Sequence, residues 1–252
     1  MNTALSDITD FIDALLNTKN VADSPNALNG LQLASPGKVT RIGAAVDAGE
    51  PTLRKAAEAG VDLLLVHHGL FWRGLEPVTG AHYRKMALAM EAGMAIYSAH
   101  LPLDVHPTLG NNALLAKGLG FAETEPFFFM KGQFIGLKAR LEMGLEELVI
   151  RVGKVVGGEV KVFVGGPKDV TEVGVVTGAA GAEIGKAAAE GVDTLITGEG
   201  PHWAAISAEE LGVNLILAGH YATETFGVKA LAACVGERFG LPWVFIDHPT
   251  GL

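Results

Sequence analysis

The chain has 252 residues, 49% hydrophobic and 19% charged, with a formal charge of −9; this composition argues against disorder and suits one large core or two smaller ones. The acidic balance argues against a general nucleic-acid or anionic-membrane surface. Asp7, Asp10 and Asp13 stand where a leader would be basic, no apolar stretch reaches membrane-spanning length, and Cys234 is the single cysteine, so a cytoplasmic protein without a membrane partner is expected.

Ser6 reads as an N-cap, and Ile8, Phe11, Ile12, Leu15 and Leu16 follow the spacing of an amphipathic helix. Asn29-Gly30 marks a turn. Strands and helices then alternate: a strand near Val39 to Val46, a helix from Pro51 to Ala59, a strand at Val61 to Val66, a helix about His82 to Ala92, a strand at Met94 to Ala99 and a helix about Asn112 to Leu119. Phe127 to Phe129 and Gln133 to Glu142 suggest strands, and Gly144 to Val156 a helix. Such alternation predicts an α/β fold with a parallel or mixed sheet. Gly157-Gly158 and Gly165-Gly166-Pro167 lack the spacing and lysine of a phosphate loop and read as turns. The pattern around Cys234 predicts a helix carrying an inert, buried thiol.

An internal repeat organises these elements. Residues 55–69 align without gaps on residues 186–200 with eight of fifteen positions identical, and the same offset pairs Gly43 with Gly174. Two similar α/β domains follow, 1–125 and 126–252, with segment exchange between them left open, and their loops are expected to meet at a metal site in the interdomain cleft. Asp62 and Asp193 occupy equivalent positions at strand starts, where turn bonding is the simplest role.

The chemistry gathers at strand ends. His67-His68 closes the apolar run Val61 to Val66, His100 followed by Asp104 comes after the next run, and His220 followed by Glu224 comes after Asn214 to Gly219. Ligands collect beyond the carboxyl ends of parallel strands, and imidazole with carboxylate suits zinc, manganese, iron, nickel or cobalt. Glu199 replaces His68 in the second repeat and is a candidate acid, base or outer orienter. His106, in a loop, is a candidate outer group, whereas His82 and His202 on helices read as structural or merely exposed.

Asn29-Gly30-Leu31-Gln32, His67-His68-Gly69-Leu70-Phe71-Trp72, His100 to Pro107, Leu109 to Asn112, Ile196 to Glu199 and Gly219 to Glu224 together resemble the signature blocks of the Nif-three-like family, whose bacterial YbgI-like members carry the name GTP cyclohydrolase type 2 homologues. The resemblance spans practically the whole chain. It implies a dinuclear metal centre in a homohexameric toroid, two divalent ions per subunit, and ligands falling on His67, His68, Asp104, His220 and Glu224. By the same analogy His68 and Asp104 serve one ion, His67 and His220 the other, and Glu224 bridges them, leaving His100 outside the ligand set as a candidate outer partner. Some relatives carry histidine where Tyr221 stands, and others a domain inserted between the halves, for which this chain has no room. The activity implied is metal-dependent hydrolysis of a nucleotide such as GTP, or of a phosphoester; the alternative is a non-catalytic hexamer that binds, delivers or senses metal or serves as a scaffold.

Overall fold

The computed structural model describes residues 3–252, which form two compact units. One comprises the described residues up to Leu103 together with Gly227–His248, the other Asp104–Phe226 with Pro249–Leu252. The chain thus leaves the first unit directly before Asp104, and residues 227–248 return to it.

The first unit opens with α1 (Leu5–Leu16) and continues through β1 (Gly30–Leu33), β2 (Ile42–Asp47), α2 (Glu50–Glu58), β3 (Leu63–His68), α3 (Gly80–Glu91) and β4 (Ala95–Ser98). A short helical turn, α4 (Leu101–Asp104), follows. Ser6 is not the N-cap: the helix begins one residue before it, after an extended Ala4 that makes no side-chain cap bond. The strand expected from Val39 starts at Ile42, and Val39 instead forms an isolated bridge with Thr3.

The second unit holds α5 (Asn111–Gly118), β5 (Glu125–Met130), β6 (Gln133–Gly144), α6 (Leu145–Val156), β7 (Lys161–Phe163), β8 (Asp169–Val176), α7 (Ile184–Ala189), β9 (Thr194–Thr197), α8 (His202–Leu211), β10 (Asn214–Leu217) and α9 (His220–Thr223). Helix α10 (Thr225–Phe239) and strand β11 (Trp243–Phe245) complete the chain.

The first sheet has the order β1-β4-β3-β2-β11, parallel except for β1 at one edge. The second has the order β5-β6-β8-β9-β10-β7, with β8, β9 and β10 parallel. Strands β3, β4 and β9 are buried over nearly their whole length, which is why they read as unbroken apolar runs. Beside the first sheet pack Leu53, Ala56, Leu64, Val66, Met94 and Ile96; in the second unit Leu115, Leu119, Leu148, Val152, Val173 and Ile196 share a cluster.

The repeat seen in the sequence is preserved in the hydrogen-bond register. Gly43 lies opposite Leu64 in β2–β3, and Gly174 opposite Leu195 in β8–β9. Gly60 and Gly191, equivalent by the same offset, both adopt positive φ, 69° and 86°, the conformation glycine supplies at a helix exit. Asp62 accepts from the backbone N–H groups of Thr40 and Arg41 and from the Thr40 hydroxyl at 2.7–3.0 Å. Asp193 does the same with Thr171 and Glu172 at 2.7–3.0 Å. Both aspartates therefore tie adjacent strand starts together, as their repeat positions suggest.

Cys234 is half-buried rather than buried. Burial, assisted by the charge of Glu237, pushes its thiol pKa up, which keeps the thiol poorly nucleophilic at neutral pH.

Candidate metal centre

In the first unit the carboxyl ends of β2, β3 and β4 lie side by side, and each delivers part of a cluster. Asp47 ends β2, His67 and His68 end β3, and His100 follows β4. His67 is fully buried and donates its Nδ1–H to the carbonyl of Ala99 at 2.9 Å. His68 donates its Nδ1–H to Asp47 Oδ1 at 2.8 Å. His100 donates its Nδ1–H to the Asp23 carboxylate at 2.9 Å. With Nδ1 engaged as a donor, Nε2 is the ring atom each imidazole offers to a cation. The ligand atoms of His67, His68 and His100 lie within 4.8 Å of one another. The indole of Trp72 rests against His68 and His100, with ring centroids at 5.2 and 4.6 Å.

In the second unit the ends of β8, β9 and β10 supply a different set. Asp104 is buried and accepts from Asn111 Nδ2 at 2.8 Å and from the Thr177 hydroxyl at 3.4 Å, just past β8. Glu199, past β9, accepts the Nδ1–H of His220 at 3.0 Å. One turn of α9 brings the carboxylate of Glu224 to 3.1 Å from His220 Nε2, and Glu224 is itself buried. Burial acts against charge on His220, but the hydrogen bonds and charges of Glu224 and then Glu199 outweigh it and lift its pKa to about 9. The sequence position that corresponds to Asp47 is Gly178 here, and a Cβ at Gly178 would collide with the Glu224 carboxylate. Glycine is thus required where the first repeat carries an acid.

The structure therefore brings His67, His68 and His100 together in one unit, and His220, Glu224 and Glu199 in the other. Asp47 and Asp23 are orienting carboxylates that lie outside the sequence motifs. Asp47 was legible in principle, because the β2–β3 ladder sets it opposite His68; Asp23 lies in a loop and carries no local signal. His106 is built the other way round: its Nδ1 accepts from the backbone N–H groups of Thr108 and Leu109 at 3.3 and 3.0 Å, which leaves a neutral ring with Nε2–H as a donor rather than a ligand. His82 is buried beside Phe71, 3.3 Å from Glu76, and His202 is exposed at the start of α8. A cavity of about 570 Å³ opens within the second unit, lined by Asp104, His106, Lys117, Phe121, Phe134 and Ile135 among others.

The residues fit a divalent cation on donor chemistry. Four imidazoles have Nδ1 hydrogen-bonded to oxygen, three of them to carboxylates, the outer arrangement that fixes metal-binding histidines. Nitrogen and carboxylate oxygen without thiolate suit borderline first-row metals.

Comparison with known proteins places the chain in a family. A Deinococcus radiodurans protein named GTP cyclohydrolase 1 type 2 homolog is 46% identical over 228 residues, covering 90% of this chain and 87% of its own. The crystal structure of TTHA1606 from Thermus thermophilus superposes with a TM-score of 0.90 at 42% identity, covering 99% of this chain and 100% of its own. Protein ybgI, described as of unknown function, gives 0.90 at 33% identity with full coverage of both chains. The Duf34/NIF3 (NGG1p interacting factor 3) family matches residues 3–251, and the chain belongs to that family.

Proposed function

We propose that this protein binds a pair of divalent ions through His67, His68, Asp104, His220 and Glu224, and that it is a metal-dependent hydrolase of a nucleotide-like or phosphoester substrate. In this reading the chains assemble as a ring-shaped homohexamer, and the protein works in the cytoplasm. Among the described residues no helix is long and apolar enough to cross a membrane.

One observation carries the reading: the imidazoles at the strand ends have Nδ1 engaged by an oxygen acceptor, a uniformity that packing alone does not require. Bound ions would supply Lewis acidity and lower the pKa of water toward about 7. The protein's own groups have separate tasks. Asp47 and Glu199 hold the rings of His68 and His220 in one orientation, and the turn of α9 sets Glu224 beside His220. His106 and Lys117 line the cavity, where Lys117 provides a cation for an anionic group. A cavity of about 570 Å³ is in the range that holds small-molecule ligands. The cyclohydrolase name carried by the Deinococcus relative makes GTP the first substrate to test.

The test is turnover by purified, metal-loaded protein on GTP and a phosphoester panel, with His68→Ala and Glu224→Ala as controls. Hydrolysis that both substitutions abolish supports the proposal. Metal uptake without turnover on any member would leave a metal-binding or delivery protein instead.

A further inference from the structure

The cavity of the second unit has walls whose chemistry selects among ligands. Helix α5 lines it with Asn112, Ala113, Ala116 and Lys117, the i, i+1, i+4, i+5 spacing of one helix stripe. Phe121 and Pro126 add to the lining, and β6 contributes Phe134, Ile135 and Leu137. Phe121 and Ile135 are buried, whereas the Phe134 ring is exposed and stands edge-on to Phe129 at 5.2 Å. The lining is thus mostly apolar and holds one buried and one exposed phenyl ring.

Charge enters at two places. Asp104 is held against the first turn of α5 by Asn111. Lys117 stands in the last turn and is the only lysine or arginine among the described lining residues. Asn111 and Lys117 are about 9 Å apart along the helix axis, so the acid and the cation mark opposite ends of α5. An anionic group is drawn to the Lys117 end and repelled from the other.

The carboxamide in the wall is already engaged. Asn112 Nδ2 donates to the carbonyls of Asp104 and Ile135 at 3.3 and 2.8 Å, and its Oδ1 accepts from the Thr177 N–H at 2.8 Å. Among the described lining residues no other Asn or Gln is present to read the edge of a nucleobase. A polyphosphate calls for clustered arginines, lysines or backbone N–H groups, whereas one lysine ammonium is a point charge that matches a single carboxylate.

We propose that this cavity takes an aromatic monocarboxylate, with its ring against Phe121 and Phe134 and its carboxylate at Lys117. The proposal rests on the reading of the cavity as a ligand site given above and names the class of compound for it, a singly charged ring in place of a nucleotide. Phenyl walls favour a flat ring beyond the area it buries, and Lys117 selects for the charged end.

The experiment is equilibrium dialysis of the full chain, freed of metal by chelator, against indole-3-acetate, the uncharged indole-3-acetamide and GTP. One indole-3-acetate per chain is expected, bound about three- to tenfold more tightly than the acetamide and more tightly than GTP. Lys117→Met, which keeps an apolar stem and removes the charge, should lower the acid to the affinity of the amide and leave the amide unchanged. Phe134→Ala should weaken acid and amide alike by about threefold or more, and serves if circular dichroism shows that Lys117→Met does not fold. No binding of the acid, equal affinities for acid and amide, or an acid affinity that the Lys117 and Phe134 substitutions leave unchanged overturns the proposal. GTP bound more tightly than the acid, and lost in Lys117→Met, also overturns it and leaves the hydrolase reading standing. Lys117-dependent binding of the acid, with no turnover of nucleotides or phosphoesters by metal-loaded protein, upholds the proposal and discards the hydrolase reading.

Discussion

Replacing Asp47 with alanine isolates the contribution of an orienting carboxylate, because Asp47 is no proposed ligand and its side chain bonds His68 Nδ1 at 2.8 Å. Loss of an outer partner of this kind typically weakens metal binding 10–100-fold, or about 1.4–2.7 kcal/mol. Asp47 is 38% exposed and its partner ring 15% exposed, so solvent screens part of the charge effect and the lower end applies, about tenfold. Asp47→Asn keeps an oxygen acceptor for the Nδ1–H and loses only the charge, so it should fall between wild type and Asp47→Ala. Zinc affinity is measured by competition with a chromophoric chelator at fixed pH and ionic strength. Equal affinities for wild type and Asp47→Ala, within about twofold, would refute the idea that Nδ1 anchoring prepares His68 for a cation.

Four further outcomes are expected. Glu224→Ala should lose both ions together if that carboxylate bridges them; full occupancy by elemental analysis would contradict the bridge. In metal-free protein, His220 has its pKa raised by its acidic partners from 6.5 to about 9, so the folded state binds the proton more tightly. That stabilisation is complete below about pH 6.5 and is lost as pH rises through 9, by about 3 kcal/mol in all; urea melts with chelator should show the decline, and His220→Gln should flatten it. Glu190 accepts from the N–H groups of Phe128 and Phe129 at 2.7 and 2.9 Å, with Phe128 at a φ of 65°, so Glu190→Ala should destabilise the fold by about 2–3 kcal/mol in chemical denaturation. Trp72→Phe should remove part of the fluorescence quenching that Co²⁺ produces, given the indole's contact with His68 and His100; quenching unchanged in that variant would count against a cation beside these rings.

Much of the architecture was legible because buried parallel strands write themselves as apolar runs, and because the repeat fixed which strands correspond. The repeat foresaw the shared role of Asp62 and Asp193, whose bonds are purely local to the strand starts. It did not foresee that β11 joins the first sheet beside β2, since a strand of three residues at the far end of the sequence carries no mark of its long-range partner. The strand-end histidines stand out in the sequence, and it was the family resemblance rather than their spacing that singled out five residues as the proposed ligands. Asp23 stayed hidden because only the path of its loop sets it beside a ring, and Asp47 is an anchor only through the β2–β3 register that sets it opposite His68. The opposite hydrogen-bond polarity of His106, set by the backbone N–H groups of Thr108 and Leu109 in its own turn, was equally invisible to motif reading.

The paired aspartate ties at the strand starts, Asp62 with Thr40 and Asp193 with Thr171, bear on how such a duplicated chain can diverge. Each lies at the opposite end of its sheet from the histidines, so the fastening of the scaffold and the choice of donor atoms are written at different addresses. One copy could exchange an acid for glycine, or an imidazole for a carboxylate, without loosening the frame that holds it. An engineer wishing to install new chemistry has the same freedom, provided the fastened ends are left alone.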